Sequence, residues 1–139
     1  MLDNIVSQLK EELRLITEAA KNTYDIATHE ENKAENQYDT RGLEASYLAG
    51  AQAERVTEMK ETVGILESLK IKSFEEKDVI SVSALVELEH SGKNQTVFIL
   101  PKAGGYKILF NGQNIQVVTP QSPLGEALVG SKVGDVAII

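Results

Sequence analysis

The sequence predicts an α+β chain: an N-terminal antiparallel helical hairpin of coiled-coil type, then a small β-rich domain carrying one short helix. Three observations predict it. Apolar residues recur at spacings of four and three through the first half. After Lys70 the period shifts toward two. Finally, Asn111-Gly112, a favoured two-residue turn, sits between two alternating runs.

The first arm follows Leu2, Val6, Leu9, Leu13, Ile16, Ala20 and Ala27, interrupted only by Thr23. Such a seam holds one stripe of a helix against a partner. A second seam reads Gly42, Ala45, Ala49, Gln52, Val56, Met59, Val63 and Leu66. The polar run from Thr28 to Thr40 separates them, and two seams joined by a short polar segment favour an antiparallel pair. Large seam residues near the base give way to Ala and Gly toward the bend. Two accounts stand side by side: a slender hairpin that narrows distally to enter a confined space, and a plain preference for Ala as a good helix former.

Next come the strands. Val79–Glu89 and Thr96–Leu100 alternate well enough to pair across Ser91-Gly92. Tyr106–Phe110 and Gln113–Val118 flank Asn111-Gly112, so Ile108 should face Ile115. Phe110 and Val117 would share that buried face, with Lys107, Asn114 and Gln116 outside. In the run Val117 to Asp135, Ser122 is placed to cap a helix, Pro123 suits its first position and Gly130 its left-handed stop. A return strand should follow, and the short helix is positioned to cover the Ile108–Ile115 face. These signals set a boundary near Ser73–Asp78: residues 1–73 form the hairpin and 74–139 the β domain.

Composition bounds the function. The 139 residues contain no Cys, which removes disulfides and Cys-based zinc sites. No basic leader precedes an apolar run and no stretch is apolar enough to span a bilayer, so a soluble cytoplasmic protein is expected. Charge is uneven. Residues 1–75 carry 15 acidic against 9 basic side chains, and 76–139 carry 6 against 5. That balance opposes independent binding to duplex nucleic acid, which depends on Lys and Arg. The oligomeric state is not fixed by any of these features.

Candidate chemistry is sparse. Glu31, Glu35 and Asp39, spaced four apart, would share one side of a helix and offer oxygen ligands suited to Mg²⁺. On sequence alone a solvated polar bend is the simpler account, since charge clusters at bends are common. His29 and His90 have no neighbouring ligand pattern, and Gly104-Gly105 precedes no Lys-Ser/Thr helix start. The serines show no nucleophile elbow.

The run Ser122-Pro-Leu, then Ala127-Leu-Val-Gly, then Lys132-Val-Gly-Asp135 closely resembles the carboxy-terminal signature of the bacterial Gre transcript-cleavage factors. Tyr38, Leu43-Glu44-Ala45 and Arg55-Val56 resemble the second arm of the same family. The resemblance implies a β domain similar to FK506-binding proteins, docked at the rim of the RNA polymerase secondary channel through the region of Ser122, Pro123 and Leu124. It also implies a hairpin that reaches inward and lends carboxylates to the polymerase's own metal pair. On that account the protein is no free-standing enzyme. It has no cofactor of its own and shares a Mg²⁺ with the polymerase.

The family tip resembles Gly-Asp-x-x-Glu-Asn-x-Glu-Tyr, and this chain has Glu31-Asn-Lys-Ala-Glu-Asn-Gln-Tyr38, one residue shorter. Registered on Glu35-Asn36, Glu35 takes the place of the functional Glu and Asn32 that of the Asp. Registered on Tyr38, Glu31 takes the Asp position and Ala34 the Glu position. Glu35 is therefore the first candidate and Glu31 its substitute partner. Stimulated cleavage of backtracked RNA and simple occupation of the channel both remain open. So does a coiled-coil interaction module. Prolyl isomerisation is disfavoured: with no Trp and only three Phe, the chain is poorly supplied for an aromatic proline pocket. The sequence also departs from the family at its end, where the usual Pro-Gly-Gly turn and last strand do not follow Gly134-Asp135, so the closing strand of the sheet is expected to be missing or supplied differently.

Overall fold

The computed structural model describes residues 1–28 and 41–138, with side chains described for 1–26 and 48–138. Two helices, α1 (Leu2–Thr28) and α2 (Arg41–Glu67), are followed by β1 (Leu85–His90), β2 (Lys93–Ile99), β3 (Lys107–Phe110), β4 (Gln113–Val118) and α3 (Pro123–Leu128). This is the expected α+β class, a helical hairpin and then a sheet with one short helix. The chain divides into two compact units, Val6–Gly64 and the combination of Met1–Ile5 with Ile65–Ile139.

Within the first unit the seams are where the spacing put them. Val6 and Leu9 are buried and Leu13, Ile16, Ala20 and Thr23 half-buried, while Arg14, Leu15, Thr17, Glu18 and Ala19 are exposed. On α2, Val56 and Val63 are buried and Ala49, Gln52 and Met59 half-buried. The small residues Ala27, Gly42 and Ala45 fall where side chains are not described. Gln52 introduces a polar atom into this stripe: its Oε1 is buried without a hydrogen-bond partner. At 27 residues each, the helices run ~40 Å.

The sheet has the order β1-β2-β4-β3. Both tight hairpins turn on two left-handed residues: Ser91 and Gly92 have φ of 52° and 76°, Asn111 and Gly112 have 51° and 77°. That is the twist-compatible primed geometry. Ile108 pairs with Ile115 as the Asn-Gly register requires, and β2 lies parallel to β4 through Thr96↔Ile115 and Ile99↔Val118. Alternation then places Ile108, Ile115, Val117 and Phe98 on one face, all buried, and Val97, Ile99 and Val118 on the other, also buried.

Three expectations are corrected. First, α3 covers the opposite face: Leu128 joins Ala84, Val97, Ile99 and Val118 in one cluster, with Phe74, Ile80, Leu124 and Ala137 packed around it. The Ile108–Ile115 face is buried all the same, and the same compact unit contains Ile5 and Leu66, both fully buried. Second, the strand expected from Val79 begins only at Leu85. Ala84 donates back to the Ser81 carbonyl at 3.0 Å and Ser83 takes a φ of 78°, so a turn interrupts the alternating run. Third, no return strand forms over the described residues after α3. Ile80 instead exchanges backbone bonds with this segment, donating to the Ser131 carbonyl and accepting from Gly130, both at 2.8 Å.

Candidate functional site

The segment from Thr119 to Asp135 is built around a sharp exit from β4. Ser122 has an extended backbone (φ −71°, ψ 158°), and its Oγ accepts from the Gly125 N–H at 3.0 Å while donating to the Thr119 carbonyl at 2.8 Å. The hydroxyl thus satisfies one orphan donor of the helix and anchors the turn before it. Pro123 opens the helix where its missing N–H is no loss. Gly125 is required by packing: a Cβ there would run into the carbonyl group of Thr119. Gly130, at φ 89°, ends the helix as expected.

This arrangement divides the three predicted docking residues. Ser122 is half-buried and its hydroxyl is engaged within the turn; Leu124 is half-buried against the core cluster; Pro123 is exposed. Beyond them Glu126, Val129, Lys132 and Val133 are also exposed. Lys132 and Asp135 close a further turn, in which the Lys132 N–H donates to Asp135 Oδ2 at 2.8 Å and the Asp135 N–H to the Lys132 carbonyl at 3.0 Å. The segment presents a hydrogen-bonded pair of turns rather than a reactive group.

The predicted acids are another matter. Glu31, Glu35 and Asp39 lie outside the described residues, as does His29. Among the described residues no group of three or more His, Asp or Glu could hold a metal ion. His90 is exposed at the end of β1, and Lys102 and Lys107 are exposed on either side of the glycine loop. An exposed charge cluster lies on α1. Arg14 donates to Glu11 at 2.7 and 3.1 Å and to Glu18 at 3.3 Å. The hydrogen bond from Arg14, then its charge, hold the Glu11 carboxyl below its ordinary range. All three side chains are well exposed, so the cluster is a solvated helix face and not a site.

Sequence reasoning missed Ser83 and Gly125. Ser83 is buried with a positive φ, and its Oγ accepts the Lys72 N–H at 3.0 Å, tying the segment after α2 to the sheet. No glycine, proline or asparagine marks that turn. Gly125 did carry a signal, since glycine in the first turn of a helix asks for a reason such as close backbone approach.

No family model matches the chain. It is 28% identical over 136 residues to the transcription inhibitor protein Gfh1 of Thermus aquaticus, spanning 96% of this chain and 80% of that protein. Among solved structures, GreA factor homolog 1 (Gfh1) of Thermus thermophilus is 23% identical, with 95% of this chain and 82% of that one covered and a TM-score of 0.39. Gfh1 of Thermus aquaticus is likewise 23% identical, covering 94% and 81%, with a TM-score of 0.34. No helix among the described residues is long and apolar enough to cross a membrane.

Proposed function

We propose that this Gre-like chain is a transcription factor that binds RNA polymerase at its secondary channel and regulates elongation by occupying it. The observation that carries this reading is the similarity to the transcription inhibitor Gfh1, which extends over both the helical arms and the sheet. Residues 74–139 act as the anchor, with Pro123 and the exposed side chains that follow it meeting the polymerase. Residues 1–73 act as the arm. The acidic charge of the first half suits neither bare duplex DNA nor RNA, and favours a protein partner in the cytoplasm.

Stimulated cleavage is the second reading, and Glu31 and Glu35 favour it. In that case they would be offered as oxygen ligands to a Mg²⁺ held by the polymerase. The shorter tip argues for regulation instead, since neither register keeps an acid at both functional positions.

Both readings are tested with a stalled elongation complex and purified polymerase. The regulator reading expects co-migration with polymerase at micromolar concentration, slower elongation, and no gain in RNA cleavage. Binding should survive Glu31→Ala and Glu35→Ala. Cleavage that is stimulated by the native protein and lost with Glu35→Ala would move the assignment to the second reading. Failure to co-migrate would remove both and leave the coiled-coil interaction module.

A further inference from the structure

The chain contains one Asn-Gly pair, Asn111-Gly112, and the fold sets it at the tip of the β3–β4 hairpin. Both residues are exposed and both are left-handed, at φ 51° and 77°. Among the described residues no hydrogen bond holds the Gly112 N–H, and glycine has no side chain to shield its nitrogen. An asparagine side-chain amide next to an unshielded, solvent-exposed backbone nitrogen is an electrophile beside a nucleophile. We propose that Asn111 is a site of spontaneous, non-enzymatic modification, closing on the Gly112 nitrogen and reopening as aspartate and isoaspartate.

The steps balance without any oxidant or cofactor. Solvent base removes the Gly112 amide proton, and the nitrogen attacks Asn111 Cγ. The N–Cγ bond forms, the Cγ–Nδ2 bond breaks, and the nitrogen leaves as ammonia. Water then opens the five-membered imide. Attack at Cγ gives aspartate; attack at the main-chain carbonyl carbon gives isoaspartate, with the chain running through Cβ. The net change is water consumed and ammonia released.

Isoaspartate matters to this hairpin in particular. It inserts one extra carbon into a two-residue turn whose length sets the pairs Phe110↔Gln113 and Ile108↔Ile115. The other hairpin supplies a control within the same molecule. Ser91-Gly92 has the same left-handed pair but no amide to lose.

The test holds the full chain at mildly alkaline pH and physiological temperature, then maps peptides by mass and labels isoaspartate with a methyltransferase specific for it. The expected result is conversion at Asn111 at least several-fold faster than at any other asparagine, with isoaspartate in the same peptide. Gly112→Ala should slow it several-fold by shielding the nitrogen. Asn111→Ser, which copies the turn at residues 91–92 and so should fold, should abolish the label at that peptide. An intact Asn111 after prolonged incubation, or isoaspartate accumulating as fast in Asn111→Ser, would overturn the proposal.

Discussion

The helical unit and the sheet unit of this protein bury apolar surface in different ways. Each helix of the first unit hides a single stripe, and along α1 burial weakens from Leu9, 2% exposed, to the half-buried Leu13, Ile16 and Ala20. In the sheet unit both faces are closed, so adjacent residues such as Val117 and Val118 are buried together, at 0% and 5% exposure. A lone helix pair has only one contact surface, whereas a sheet has two. The difference teaches where sequence change is tolerated: substitutions in the sheet meet close packing on either side, while those on the arms meet solvent within one residue.

Four experiments would break or sharpen that contrast. The largest effect is expected from Gly125→Ala, which forces a methyl into the Thr119 carbonyl at the exit of β4. A loss of about 4 kcal/mol, or failure to fold, is expected on urea denaturation. A loss under ~1 kcal/mol would mean that the turn yields easily. Next, Ile115→Ala in the sheet should cost about 3–4 kcal/mol, against about 1 kcal/mol for Ile16→Ala on the arm. Equal losses at the two positions would erase the contrast.

Gln52→Leu should act in the opposite direction. Replacing a buried, unpartnered oxygen with an apolar side chain of similar size should stabilise by about 1 kcal/mol, read as a higher urea midpoint. The smallest effect concerns Glu11 and Arg14. Because the folded state holds the Glu11 carboxyl below its ordinary range, that pairing stabilises above the unfolded carboxylate range and is lost as pH falls through the folded value. Comparing Arg14→Gln with the parent by circular dichroism, the parent should be slightly more stable near neutral pH. The two should converge in acid, and 1 M salt should shrink the gap.

Much of the fold was legible because its signals are local. The four-three spacing of Val6, Leu9, Leu13 and Ile16 predicts a stripe without knowing what covers it. Asn111-Gly112 fixes the register of Ile108 against Ile115 through turn geometry alone. Ser122 and Pro123 announce the helix start, and Gly130 its stop. What escaped was tertiary. Which face α3 would cover depends on where β2 enters the sheet, and β2 joins β4 in parallel through a long connection that leaves no local mark. The turn at Ser83 escaped because its strained φ is upheld by bonds to distant residues, Ile99 and Lys72, and not by its own sequence. For the candidate site, the signature around Ser122 was legible as a capped turn. The roles expected of Glu31 and Glu35 rest on a resemblance whose register the shorter tip run leaves double, and both residues lie outside the described ones.

The strand order carries one more consequence, for the sequence of events as the chain assembles. β4 is wedged between β2 and β3, although β3 precedes it in the chain. The first hairpin can zip up from its own residues, but β4 has nothing to gain from β2 until a loop of more than a dozen residues has closed. The economical route is for β3 and β4 to form as a ready-made piece and dock together, with α3 settling last over the exposed side. On that route the Asn111 turn acts early, as a gate on the rate of folding, and a change there should slow refolding more than it speeds unfolding.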